Sequence, residues 1–251
     1  MFSHRPDLPN WCRLPRTLVQ CSGWPEQEAK TSTPLRTFAI EALADFRTVG
    51  AVAPSSRYLT QAMLGPLPLH KARVIVEVGS GTGVITQALL KSLHVDAVVF
   101  AFEINSRFSQ YVRSRVADPR LVLINASAER LQKELRHRGY ERVDAVISSL
   151  ALSLMPERQR NGFLSSLAGL LDPGGVFTQY QYFHGMQVEN GQLRRFHLVD
   201  LLRQYFGSVQ RKIILRNLPP AFVYTCRGPL RQGAARARVW NWFSPSLLGL
   251  G

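Results

Sequence analysis

Residues 74–83 read Val-Ile-Val-Glu-Val-Gly-Ser-Gly-Thr-Gly. An apolar run ends in a carboxylate, Glu77, and glycine then occupies every second position. Glycine lets a chain turn sharply and approach a ligand with no Cβ between them. A helix starting at Val84 would add its free N–H groups to the same site. The spacing disfavours a pyrophosphate cradle. After Gly79 and Gly81 the dinucleotide fingerprint needs a small residue at position 84, where this chain has valine. A second apolar run ends in Glu103, whose side chain is suited to accept hydrogen bonds from both hydroxyls of a ribose. A third run leads into Ile124-Asn125-Ala126-Ser127-Ala128.

Residues 50–59, Gly-Ala-Val-Ala-Pro-Ser-Ser-Arg-Tyr-Leu, lie just ahead of the first apolar run. Two readings stand side by side. The segment can form a lid over a bound ligand. Ser55 or Ser56 can equally cap a helix over 57–64.

The elements that would position these residues alternate. Strands are expected at 73–78, 95–102, 120–124, 143–148 and 175–182. Helices are expected at 84–93, 106–116, 128–138, 157–171 and 193–206. Two further strands follow, near 209–215 and 221–226. Such alternation implies a Rossmann-like, doubly wound α/β fold with a mostly parallel sheet. The last two strands imply an antiparallel hairpin at one edge. Apolar stretches such as Val98-Val99-Phe100-Ala101-Phe102 suit strands buried on both faces. Ahead of this domain (73–227), residues 1–32 read as a loose leader. Residues 33–72 hold an amphipathic helix at 34–47 followed by the lid segment. That helix carries Leu35, Phe38, Ala39, Ala42, Leu43 and Phe46 on one face. Residues 228–251 form a tail with Arg231, Arg236 and Arg238 ahead of Trp240, Trp242 and Phe243.

The 251 residues carry a net charge of +14, which attracts polyanions, either nucleic acid or anionic lipid. No apolar run reaches the roughly 18–20 residues needed to cross a bilayer. Three scattered cysteines, Cys12, Cys21 and Cys226, make neither a disulfide framework nor a zinc knuckle, and no metal site is expected.

The E-x-G-x-G-x-G turn resembles motif I of class I S-adenosylmethionine-dependent methyltransferases. A wider set of motifs resembles bacterial phospholipid N-methyltransferases. It comprises Phe46-Arg47 leading to Gly-Ala-Val-Ala-Pro-Ser-Ser, motif I, Phe102-Glu103-Ile104-Asn105, residues 177–182 (Phe-Thr-Gln-Tyr-Gln-Tyr) and Asn217-Leu218-Pro219-Pro220-Ala221. The resemblance implies S-adenosylmethionine as cofactor. It places Ser55, Ser56, Glu77, Gly79, Ser80, Gly81, Thr82, Gly83, Glu103, Ile104, Ser127, Ala128 and Ser148 around it. It implies methylation of a lipid head-group amine, phosphatidylethanolamine toward phosphatidylcholine first and ornithine lipid as the alternative. Tyr180, Tyr182 and His184 become candidates to take the ammonium proton and to face the methylated cation. The family is distantly similar to ribosomal RNA adenine dimethyltransferases, which use Asn-Leu-Pro-Tyr after the fourth strand. Here residues 147–152 lack both the Asn and the aromatic ring, which argues against a flipped purine and a nucleic-acid partner. Residues 34–47 can pack on the domain or lie in a lipid interface, and the resemblance favours the interface. The implied location is the inner face of the cell membrane, held peripherally from the cytoplasm.

Overall fold

A computed structural model describes residues 55–183, 186–189 and 192–230, with backbone alone for 186–189 and 192–195. All of them fall within one unit, Arg47–Gly251. The expected leader, the 34–47 helix, residues 50–54 of the lid segment, His184 and the tail from 231 lie outside the described residues.

The chain opens with α1 (Arg57–Leu64) and then alternates. The order is β1 (Val74–Val78), α2 (Val84–Ser92), β2 (Val98–Phe102), α3 (Ser106–Arg115), β3 (Leu121–Ile124), α4 (Leu131–His137), β4 (Val143–Ser148) and α5 (Glu157–Leu170). It continues with β5 (Leu171–Tyr182), β6 (Met186–Glu189), β7 (Gln192–Arg195), α6 (Leu198–Arg203), β8 (Phe206–Ile214) and β9 (Ala221–Pro229). Seven strands form one sheet in the order β3-β2-β1-β4-β5-β9-β8. The first five are parallel, and β9 runs antiparallel to both β5 and β8. This is the mostly parallel sheet with an antiparallel edge that the sequence implies.

Two apolar clusters cover the sheet, one on each face. Leu59, Met63 and Leu64 of α1 join Ile85 and Leu89 of α2 against Ile75, Val99, Ala145 and Ile147. Leu131 and Leu135 of α4, Phe163, Leu164 and Leu167 of α5, and Leu198 and Leu202 of α6 pack against Val76, Phe100, Phe102 and Phe177. Each of these helices buries residues three or four apart, the spacing that puts them on one stripe. The parallel strands are covered on both sides, which explains their unbroken apolar runs.

One expectation fails. A helix over 193–206 is not what forms: Gln192–Arg195 is strand β7, paired with β6, and the helix spans only Leu198–Arg203. The helical spacing of Leu198 and Leu202 is genuine, since both are buried. Its extension backward loses to hairpin pairing. The Asn190-Gly191 dipeptide between the two strands was the available signal, because it favours the turn geometry of tight hairpins. Residues 128–138 also divide, into a 3-10 turn at Ala128–Arg130 followed by α4.

Candidate functional site

The strand order reverses between β1 and β4, so the connections leaving their carboxyl ends diverge and open a crevice there. The glycine turn after β1 lies at this point. Gly79, Gly81 and Gly83 all have positive φ, at 80°, 53° and 79°. At Gly83 the requirement is also steric. It caps α2 in the left-handed region, and an added Cβ would sit 3.1 Å from Val112 Cγ2 of α3. At Gly81 the same Cβ would meet no atom of the described residues within 4 Å, so among them open space lies above the turn.

Glu77, one residue before the end of β1, is a fully buried carboxylate. Thr86 Oγ1 of α2 donates to its Oε2 at 2.7 Å, while Oε1 has no hydrogen-bond partner among the described residues. Burial, against the opposing Thr86 bond, pushes its pKa up to about 7, and Glu103 nearby adds to the rise. Glu103, at the end of β2, is also buried. Its Oε2 accepts the Gly81 N–H at 2.8 Å and its Oε1 the Asn105 N–H at 2.8 Å. Burial raises its pKa, and these backbone bonds oppose the rise. Each oxygen keeps lone-pair capacity for a further donor. Ile104, the next residue, is 41% exposed.

Several expected residues serve the local fold as well. Ser127 Oγ caps the short turn after β3 by accepting the Glu129 N–H, and Ala128 opens that turn. Ser148 is buried at the end of β4, and its Oγ accepts the Leu150 N–H. Residues Ser149 and Leu150 then pass beside Gly79, so the loop after β4 flanks the glycine turn. Ser56 takes the capping role: its Oγ accepts the Leu59 N–H at 3.2 Å, and α1 spans the expected 57–64. Its own N–H donates to Asn217 Oδ1 at 3.1 Å, joining segments 161 residues apart. No hydrogen bond between described residues ties Ser55 or Ser56 to the glycine turn.

Tyr180 and Tyr182 lie on one face of β5, edge to face with ring centroids 5.3 Å apart. Both pack against the cluster built by α1 and α2. Tyr180 keeps a little solvent exposure, yet desolvation and the hydrogen-bonded Tyr182 push its phenol well above the ordinary tyrosine range. On the opposite face, Gln179 Nε2 donates to the carbonyls of Leu150 (2.9 Å) and Tyr180 (2.6 Å).

Residue types alone did not single out Thr86, Asn105, Asn125, Gln179 or Asn217. Asn105 caps α3 by accepting from Arg107 and Phe108, and Asn125 Nδ2 holds the Glu103 carbonyl at 2.7 Å. An Asn directly before a helix was a readable cap signal. The others depend on partners distant in sequence.

Among the described residues, the buried polar atoms without a partner include Glu77 Oε1 and Ser80 Oγ at the glycine turn and Gln179 Oε1 beside the loop after β4, besides others elsewhere in the domain such as those of Gln159, Arg160 and Asn161. Buried polar atoms are ordinarily paired, so a group of exceptions beside an open crevice fits a polar ligand. A buried carboxylate, a ribose-suited carboxylate and a glycine-lined space together suit S-adenosylmethionine, which carries an ammonium group at its amino-acid end and a cationic sulfonium beside it.

Comparison with known proteins agrees. A family model described as a methyltransferase domain matches residues 75–175. An ornithine lipid N-methyltransferase of Singulisphaera acidiphila is 30% identical over 181 residues, 72% of this chain and 88% of that protein. In fold, the chain is similar to the Burkholderia thailandensis 1,6-didemethyltoxoflavin N1-methyltransferase, solved with S-adenosylhomocysteine, at a TM-score of 0.59 and 21% identity over 78% of this chain and 88% of the other. A precorrin-6y C5,15-methyltransferase from Geobacter metallireducens matches at 0.51 and 15% identity, over 68% and 88%. This chain is therefore a class I S-adenosylmethionine-dependent methyltransferase and belongs to the bacterial lipid N-methyltransferases.

Proposed function

We propose that this enzyme methylates the head-group amine of a membrane amino lipid, with ornithine lipid ahead of phosphatidylethanolamine. One observation carries the reading: the identity to an ornithine lipid N-methyltransferase extends over most of both chains. The fold alone serves many substrates. The sequence motifs put phosphatidylethanolamine first, and the relative reverses that order. Ribosomal RNA adenine has only the net charge in its favour, since Ser148-Ser149-Leu150 after β4 supplies no Asn and no aromatic ring.

In this reading Glu77 Oε1 meets the cofactor's amino group, and Gly79, Ser80, Gly81, Thr82 and Gly83 line its amino-acid end. Glu103 takes the ribose hydroxyls, and Ile104 and the Ser127-Ala128 segment flank the adenine. Ser148 shapes the loop that closes this side, and Ser55 and Ser56 close the other through α1. The cofactor supplies a methyl group on a sulfonium, which needs a neutral amine placed in line with the departing sulfur. Tyr180 is a neutral phenol at physiological pH, and its burial makes it a still weaker acid, so it positions the amine through its oxygen lone pair rather than acting as a phenolate. The Tyr180 and Tyr182 rings favour the methylated ammonium that results. His184, two residues beyond, is left as the first-choice proton acceptor. Residues 34–47 and the Arg/Trp tail hold the enzyme peripherally at the cytoplasmic face of the membrane.

The test incubates the full chain with methyl-labelled S-adenosylmethionine and vesicles containing ornithine lipid and phosphatidylethanolamine, with RNA in parallel, and separates the lipids. Label in ornithine lipid is expected. Label in phosphatidylethanolamine alone would restore the other order, and label in RNA alone would overturn the lipid reading.

A further inference from the structure

β9 runs antiparallel to β5, and β8 antiparallel to β9, so the 215–220 connection lies at the sheet end where β1, β4 and β5 finish. There Tyr182, Ala221 and Ile214 are adjacent in register, and the Phe183 N–H donates to the Pro220 carbonyl at 3.1 Å. The connection thus stands beside the tyrosines of the candidate site.

Its aliphatic residues are turned outward. Leu218 is 77% exposed, Leu215 69% and Ile213 52%, while Ile214 between them is buried. Phe183 is also exposed and stacks on Phe222 at 4.3 Å. Cations lie on the neighbouring elements. The Arg211 guanidinium lies 4.8 Å over the Phe222 ring, and Arg57 and Arg216 lie 4.8 and 5.3 Å from the Tyr58 ring. Residues 206–230 contain four Arg or Lys and no Asp or Glu. None of Arg57, Arg211, Lys212 and Arg216 is ion-paired with a described residue. Charges along β8 alone would be ordinary protection of an edge strand. That does not account for two leucines held in water on the adjoining connection. Exposed aliphatic side chains on a connection flanked by arginines without an ion-pair partner among the described residues match an anionic bilayer, whose phosphates meet the guanidinium groups while the leucines enter the acyl boundary. A nucleic acid would use the cations and gain nothing from the leucines.

We propose that the β8–β9 connection, tipped by Leu215 and Leu218 and flanked by Arg57, Arg211, Lys212 and Arg216, is the surface by which this domain docks on an anionic lipid bilayer. Docking there brings the head-group layer to the tyrosine end of the crevice. The inference takes its purpose from the lipid-substrate reading, and its test separates the two.

The test measures binding of the full chain to phosphatidylcholine vesicles with and without one part in three of phosphatidylglycerol. Wild type is compared with the double variant Leu215→Ser/Leu218→Ser and with Arg211→Gln/Lys212→Gln. The leucine pair is expected to weaken binding about 30-fold. The charge pair should weaken it about fivefold per residue, on the anionic vesicles only. S-adenosylmethionine affinity and methylation of a short-chain, monomeric amino lipid stay unchanged in the leucine variant, which excludes misfolding. Vesicle binding within twofold of wild type, with amino-lipid methylation intact, overturns the docking surface and leaves the substrate reading standing. Leucine-dependent vesicle binding by an enzyme that methylates no amino lipid upholds the surface and removes the substrate reading. Conversion of a wild-type dimer to a monomer by the leucine variant, or RNA binding tighter than vesicle binding, assigns the face to another partner and overturns the proposal.

Discussion

Glu77→Gln is the most informative single change. The side chain keeps its size, and its amide oxygen can still accept from Thr86, but the ionisable group is gone. In the wild-type fold burial raises the Glu77 pKa from 4.5 to about 7. A raised folded-state pKa means that its contribution to stability is fully present below pH 4.5 and is lost as pH climbs through 7. At 1.36 kcal/mol per pKa unit, the loss by pH 8 is about 3 kcal/mol. Urea unfolding of both unliganded proteins at several values between pH 4.5 and pH 8 isolates this term, because every other group titrates in both. The variant's pH-independent offset is immaterial; the difference in slope is the quantity of interest. The wild type should lose about 3 kcal/mol more than the variant across that window. A cationic cofactor should also draw the proton off Glu77. Calorimetry in two buffers at pH 6 should register release of about one proton on binding to wild type and none with the variant. The variant should bind the cofactor about 2 kcal/mol more weakly, through loss of a charge-assisted hydrogen bond. Parallel stability curves would falsify the buried, protonated carboxylate, and unchanged cofactor affinity would remove Glu77 from the site.

Three further changes test the surrounding frame. Glu103→Ala removes the acceptor for the Gly81 and Asn105 N–H groups and the proposed ribose contact. Cofactor affinity by calorimetry should fall about 100-fold, and an unaltered value would place the ribose elsewhere. Gly81→Ala meets no neighbour, so the left-handed backbone should cost only about 1 kcal/mol, or a few degrees in Tm, while the methyl group enters the ligand space. Cofactor binding at least tenfold weaker is expected, and full affinity would show that the ligand does not cross this turn. Asp144 Oδ2 accepts the N–H groups of Arg73 and Val74 at 2.8 and 2.9 Å where β1 begins. Asp144→Ala should lower stability by about 1–2 kcal/mol and leave cofactor affinity alone; weakened binding in the folded variant would mean that the start of β1 is coupled to the crevice.

The sequence by itself determined the β/α alternation, the two-faced burial of the parallel strands and the glycine turn with Glu77 and Glu103 at strand ends. These are local quantities. Apolar periodicity reports which face of an element is covered, and the glycines mark a backbone of positive φ wherever the rest of the chain goes. It also carried a serine cap ahead of 57–64, because a cap bonds within three residues, while the choice of Ser56 over Ser55 came from the structure. Tertiary structure alone decided four things. It inserted β9 between β5 and β8, which turned the 215–220 connection toward the crevice. It joined Ser56 to Asn217. It made Gln192–Arg195 a strand where helical spacing had suggested otherwise. It pushed the Tyr180 phenol further above the ordinary tyrosine range and raised Glu77 to a value that titrates near physiological pH. Strand order, hairpin pairing and desolvation each depend on groups brought close from far along the chain, and none of them leaves a periodic trace in the residues concerned.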